Sequence, residues 1–125
     1  MNTSVLVVDD EPLALQMLAG IVKQAGCDVI QATNGEEALH LALQQKPFLI
    51  IADVNMPQKD GITFVNELRN DQEYGKNVSV ILLTQDDSTS TLNEALQIGI
   101  TTYLAKSTLN PDELKQQIQT LQSGQ

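Results

Sequence analysis

Phe48-Leu49-Ile50-Ile51-Ala52-Asp53-Val54-Asn55-Met56-Pro57-Gln58-Lys59-Asp60-Gly61 is the stretch whose reading decides the fold. Its first half is a nearly unbroken apolar run, which reads as a strand buried on both faces, as strands of parallel sheets are. The run ends on a carboxylate, Asp53, and breaks through Pro57 and Asp60-Gly61, residues that favour a turn. In open parallel sheets ligands bind outside the carboxyl ends of the strands. An acid at that point is placed to do chemistry. Taken alone, Asp53 would more simply end a strand and solvate a loop, so the rest of the chain must decide.

Upstream, residues 5–8 form an apolar, β-branched run that also ends on acids: Asp9, Asp10 and Glu11. Pro12 suits the first turn of a helix, where its missing N–H costs nothing. Leu13, Met17, Leu18, Ile21 and Val22 repeat at helical spacing up to Ala25-Gly26, a stop signal. Residues 28–32 alternate as a second strand. Asn34 and Glu37 then give cap and capping-box acid to a second helix running to Lys46-Pro47.

Downstream of Gly61, Ile62, Phe64, Val65 and Leu68 mark a third helix ending near Asn70, followed by a polar connection over 71–77. Residues 78–83 are a fourth strand ending on Thr84. Leu92, Ala95, Leu96 and Ile98 mark a fourth helix that stops at Gly99. Residues 102–105 are a fifth strand ending on Lys106. Asn110, Pro111 and Glu113 open a last helix whose buried stripe is Leu114, Ile118 and Leu121. Five strands alternating with five helices predict a doubly wound parallel sheet covered on both faces.

The bulk properties agree and exclude several classes. At 125 residues the expectation is one domain, 1–125, with a single proper core. Aromatics are 3% and Trp is absent, so that core is aliphatic. A net charge of −9 argues against direct binding to nucleic acid or an anionic membrane, because nothing is available to neutralise phosphates. The lone Cys27 has no partner for a disulfide, which fits a reducing compartment. Neither a signal peptide nor a membrane-length apolar run is visible. The expected location is the cytoplasm.

In a parallel sheet, Asp9-Asp10, Asp53, Thr84 and Lys106 all fall along one edge. If strand one lies beside strand three, three carboxylates meet there and need a compensating charge. Oxygen ligands and partial hydration are what Mg²⁺ prefers. Acids, metal, hydroxyl and ammonium together describe a site for a phosphoryl group clamped by cations while an oxygen nucleophile attacks. Each residue has a plainer reading by itself: helix-terminal charge for Asp9-Asp10, an ordinary strand threonine for Thr84, a solvated loop lysine for Lys106. Those readings would all have to hold at four separate strand ends.

With these residues in place the chain resembles a receiver domain of the two-component response regulators, along essentially its whole length. The likeness runs from Asp9-Asp10 through Asp53, Met56-Pro57-Gln58-Lys59-Asp60-Gly61, Thr84 and Tyr103 to Lys106. It implies the flavodoxin-like strand order 2-1-3-4-5. It implies that Asp53 is the phosphoacceptor, taking a phosphoryl group from a histidine kinase or phosphotransfer protein. Asp10, Asp53 and the backbone carbonyl of Asn55 would hold Mg²⁺, with Asp9 acting mainly through water. Lys106 would pair with phosphoryl oxygens, and Thr84 and Tyr103 would switch. The face made by the fourth helix, fifth strand and fifth helix would then meet an output protein or domain. Asn55, Gln85 and Asp86 would tune the lifetime of the acyl phosphate, with an amide and an acid orienting water for fairly quick loss.

Two positions depart from the family. Lys106 is followed by Ser107 where receivers usually carry proline in a cis peptide, so either the bond is trans in a rearranged loop or strain is tolerated. Gln85 stands where a small residue is usual, and its length would narrow the pocket. These departures leave an alternative open: a receiver-like interaction module that works without phosphorylation. A haloacid-dehalogenase-type phosphatase fits less well, since it needs a second acid where Asn55 stands. A flavodoxin-like cofactor binder needs a phosphate loop where Asp9-Asp10-Glu11 would repel phosphate.

Overall fold

The computed structural model describes residues 2–56, 59–85 and 89–124. Five strands, β1 (Ser4–Val8), β2 (Asp28–Ala32), β3 (Leu49–Asp53), β4 (Ser79–Thr84) and β5 (Thr102–Ala105), alternate with five helices. The helices are α1 (Pro12–Gln24), α2 (Gly35–Gln45), α3 (Gly61–Leu68), α4 (Thr89–Gln97) and α5 (Pro111–Ser123). All strand pairs are parallel and the order is β2-β1-β3-β4-β5, as expected.

Successive strand side chains point to opposite faces, and this divides the core in two. Leu6, Val8, Ile50, Ala52, Val80 and Leu82 pack with Ala38 and Ala42 of α2 and Phe64, Val65 and Leu68 of α3. Val5, Val7, Leu49, Ile51, Ile81 and Leu83 pack on the other face with Leu18, Ile21 and Val22 of α1 and Leu114 and Ile118 of α5. Among the described residues Phe64 is the fully buried aromatic of these layers, and Tyr74, Tyr103 and Phe48 pack at their margins.

The caps predicted at Asn34 and Asn110 are present, and Asp60, expected only as a turn residue, adds a third. Asn34 Oδ1 accepts from the Glu37 N–H at 2.9 Å, but the Glu37 carboxylate reaches past the cap to the Thr33 N–H at 2.8 Å. Asp60 accepts from the Thr63 N–H at 2.8 Å, and Asn110 from the Asp112 N–H at 2.9 Å. Pro12 and Pro111 occupy the first turns of α1 and α5.

Register brings the strand ends level: Val8 lies opposite Ala52, Asp53 opposite Leu83, and Thr84 opposite Ala105. Of the two arrangements open for Lys106-Ser107, the described residues contain no cis peptide. The chain instead turns into a short 3₁₀ segment, Lys106–Thr108, directly after β5.

The opposite, amino-terminal edge is fastened by a residue with no apparent role in the sequence. The Arg69 guanidinium, just beyond α3, donates to the carbonyls of Ile98 (3.0 Å), Gly75 (2.8 Å), Val78 (2.8 Å) and Gly99 (2.6 Å). The connection over 71–77 is more ordered than its polarity suggested. Asp71 accepts from the Tyr74 and Gly75 N–H groups, and the Tyr74 hydroxyl donates to the Pro47 carbonyl at 2.6 Å.

Candidate functional site

Among the described residues, the fully buried polar or charged side chains are Asp9, Asp53 and Thr84, each no more than 1% exposed. All three stand at the carboxyl edge of the sheet. Burying a carboxylate costs several kcal/mol unless it is paired and hydrogen-bonded, so their local partners matter.

β3 carries Asp53 out of the core and the chain then turns sharply. The Asn55 N–H donates to Asp53 Oδ1 at 3.1 Å, a carboxylate satisfied by the backbone two residues on. Asp9 makes the same closure with the Glu11 N–H at 3.0 Å. Gly61 lets the chain fold back against β3. A Cβ there would lie 2.5 Å from the Asp53 carbonyl oxygen, and the Gly61 N–H donates to Val54 O at 3.0 Å. Gly35, at the start of α2, likewise leaves space taken up by the backbone and side chain of Lys59. Lys59 is itself ion-paired to Glu36 at 2.9 Å and to Glu67.

Lys106 enters from beyond β5, its side chain 15% exposed. Its Nζ lies 2.8 Å from Asp9 Oδ2 and donates to Asp53 Oδ2 at 3.0 Å. Burial raises the Asp53 pKa; the hydrogen bond from Lys106 and the Asn55 N–H oppose this without cancelling it, and Asp9 adds to the rise. For Lys106, burial works against the charged form, but the bonds to Asp9 and Asp53 outweigh it and its pKa is raised.

Asp9, Asp10 and Asp53 each offer an oxygen, all within 4.8 Å of one another, with Asp10 exposed and the other two buried. Three carboxylates against one ammonium leave surplus negative charge on hard oxygen donors with one side open to water. That donor set fits a divalent cation of the Mg²⁺ type, which keeps several of its waters.

The structure therefore brings Asp9, Asp10, Asp53 and Lys106 together, with the Asn55 backbone beside them. Thr84 lies on the next strand end, buried. Tyr103 sits opposite Leu82 on β5, packs against the layer under α2 and α3, and has a buried hydroxyl with no hydrogen-bond partner among the described residues. Gln85 extends across the site: its Nε2 donates to Glu11 Oε1 at 3.3 Å. Asp86, Pro57 and Gln58 lie outside the described residues. Glu11 is the site residue that the sequence left without a role. Its place in an acidic run was visible, but its contact with a residue 74 positions away was not.

Residues 5–119 match the family model of the response regulator receiver domain. The alkaline phosphatase synthesis transcriptional regulatory protein PhoP of Bacillus subtilis is 34% identical over 121 residues, 97% of this chain and 49% of that protein. The chain thus spans about half the length of the curated relative it matches. The chemotaxis response regulator CheY4 of Vibrio cholerae superposes with a TM-score of 0.85 at 34% identity, covering 97% of this chain and 99% of that one. The receiver domain of a Pseudomonas aeruginosa sensor histidine kinase, with a magnesium ion coordinated in its active-site cleft, superposes with a TM-score of 0.85 at 28% identity, covering 97% and 98%. With its strand order, its buried acids and these likenesses in agreement, the chain belongs to the receiver domains of the two-component response regulators.

Proposed function

We propose that residues 1–125 act as one phosphoacceptor unit in which Asp53 takes a phosphoryl group from the phosphohistidine of a histidine kinase or phosphotransfer protein. An Asp53 carboxylate oxygen attacks phosphorus, the P–N bond to the imidazole breaks, and its electron pair stays on the departing nitrogen. The observation that carries this reading is the buried Asp53 carboxylate, 3.0 Å from Lys106 Nζ, in a cluster of three acids. Asp10, Asp53 and the Asn55 carbonyl would hold Mg²⁺, which when bound neutralises charge on the transferring group. Asp9 is already engaged by Lys106 and the Glu11 N–H, which supports an indirect role for it.

Lys106 would follow the new negative charge, and Thr84, on the next strand end, would hydrogen-bond it. The buried hydroxyl of Tyr103, without a partner among the described residues, supports a role as the responding element, since such a group gains from any rearrangement that supplies a partner. The charge would favour the conformation in which these groups engage it, and the surface of α4, β5 and α5 would present that conformation to an output protein or domain. Asn55 beside the acceptor supports fairly quick self-dephosphorylation; an adduct persisting for many hours would contradict that part.

Intact-mass measurement after incubation with a small acyl-phosphate donor tests the proposal. A single phosphoryl adduct that requires Mg²⁺ and is absent from Asp53→Asn is the expected outcome. An unmodified wild-type protein would favour a module that binds partners without phosphorylation.

A further inference from the structure

We infer that Glu11 and Gln85 form a clasp over Lys106, tying the end of β4 to the start of α1, and that it must open for Asp53 to be phosphorylated. The inference rests on the phosphoacceptor reading above and names a control element within that site. Gln85 Nε2 donates to Glu11 Oε1 at 3.3 Å, and that same oxygen lies 4.0 Å from Lys106 Nζ. Glu11, Gln85 and Lys106, with Asp9, line a cleft of about 280 Å³ whose outer wall is Leu13 and Met17 of α1.

The chemistry of the ammonium group sets what the clasp does. Lys106 has three N–H donors; it donates to Asp53, is ion-paired to Asp9 at 2.8 Å, and has Glu11 as a third acid at 4.0 Å. A phosphoryl group on Asp53 replaces the carboxylate's single negative charge with roughly two and brings three acceptor oxygens beside that donor. It competes with Glu11 for Lys106 and repels the Glu11 carboxylate. Displacing Glu11 releases Gln85, the residue directly after Thr84. The clasp therefore couples the charge at Asp53 to the β4 end by a second route, and while closed it slows uptake. Gln85 is one of this chain's departures from its family, which makes the control a property of this chain.

The test is the initial rate of adduct formation from a small acyl-phosphate donor with Mg²⁺, for wild type, Glu11→Ala, Gln85→Ala and the double variant. Each single change is expected to raise the rate about two- to tenfold, the span of one solvent-accessible hydrogen bond. The double variant is expected to be no faster than the faster single, because both remove one interaction. Gln85→Ala is the stricter arm, since Glu11→Ala also removes a charge that repels an anionic donor. Singles that are unchanged or slower, or a double equal to the product of the singles, would overturn the inference while leaving wild-type phosphorylation intact. If none of the four proteins takes a phosphoryl group, the phosphoacceptor reading fails and the clasp's role with it. A donor-free readout checks the contact itself: the Gln85 side-chain amide resonances should shift in Glu11→Ala, and unmoved resonances would rule the clasp out.

Discussion

Lys106 and Arg69 are both largely sheltered cations, at opposite edges of one sheet, and they are held in opposite ways. Lys106 is gripped by carboxylates and its pKa is raised; Arg69 is gripped by four neutral carbonyls and its pKa is lowered by burial. The four partners of Arg69 are all backbone dipoles, which carry no net charge to rearrange. At the carboxyl edge the partners are charged and outnumber the cation, so one more anion reorders them. The contrast teaches where the fold is fastened and where it is left able to change.

The sharpest way to break this contrast is to remove each cation and follow unfolding. Arg69→Ala should cost about 4 kcal/mol, since four carbonyls, three of them at part-buried bonds, lose a charged donor at once; a loss below about 1 kcal/mol in chemical denaturation would mean the fastening lies elsewhere. Lys106→Ala should cost about 3 kcal/mol, because it leaves Asp9 and Asp53 buried without compensation. The Lys106 contribution has a defined pH window. Its folded pKa is raised, so the stabilisation is fully present below the ordinary lysine value of 10.5 and fades as pH climbs through the folded value.

Asp53→Asn should go the other way, raising stability by about 1 kcal/mol at neutral pH while abolishing the adduct. Here the sign is set by burial. The folded Asp53 pKa lies above its ordinary 3.8, so the folded chain binds more protons between the two values and loses stability as pH rises there. The advantage of Asn should therefore be full above the folded pKa and vanish in acid, where Asp53 is neutral; an advantage independent of pH would refute the electrostatic cause. An effect of similar size but opposite sign is expected for Tyr74→Phe, a loss of about 1 kcal/mol with the bond to Pro47 O, with no change in adduct formation.

Those two edges were not equally legible. Asp9, Asp53, Thr84 and Lys106 could be placed because each follows an apolar run that sequence periodicity marks as a strand, and parallel topology aligns strand ends. The helix starts at Asn34 and Asn110 were readable because cap chemistry is local, whereas Asp60, read only as a turn residue, caps α3 as well. Arg69 was not, because its bonds to Ile98 and Gly99 span 29 and 30 positions and nothing at its own position distinguishes it from a solvated helix-end arginine. Tyr74 and the Glu11–Gln85 contact were hidden by the same kind of separation. The sulfhydryl of Cys27, which has no partner for a disulfide, is buried, and burial pushes its pKa up.

The close seating of Lys59 against Gly35, and of Gly61 against the end of β3, bears on how this protein can be instrumented. A dye or inserted tag near either glycine would wedge apart the loop that carries Asn55 and disturb the very event it was meant to report. The outer surface of α1 is the opposite case: Leu13 is 81% exposed and Met17 45%, both beside the cleft and outside the acid cluster. A cysteine-linked fluorophore at position 13, in a background where buried Cys27 stays unreactive, would sit within sensing range of the site without standing in it.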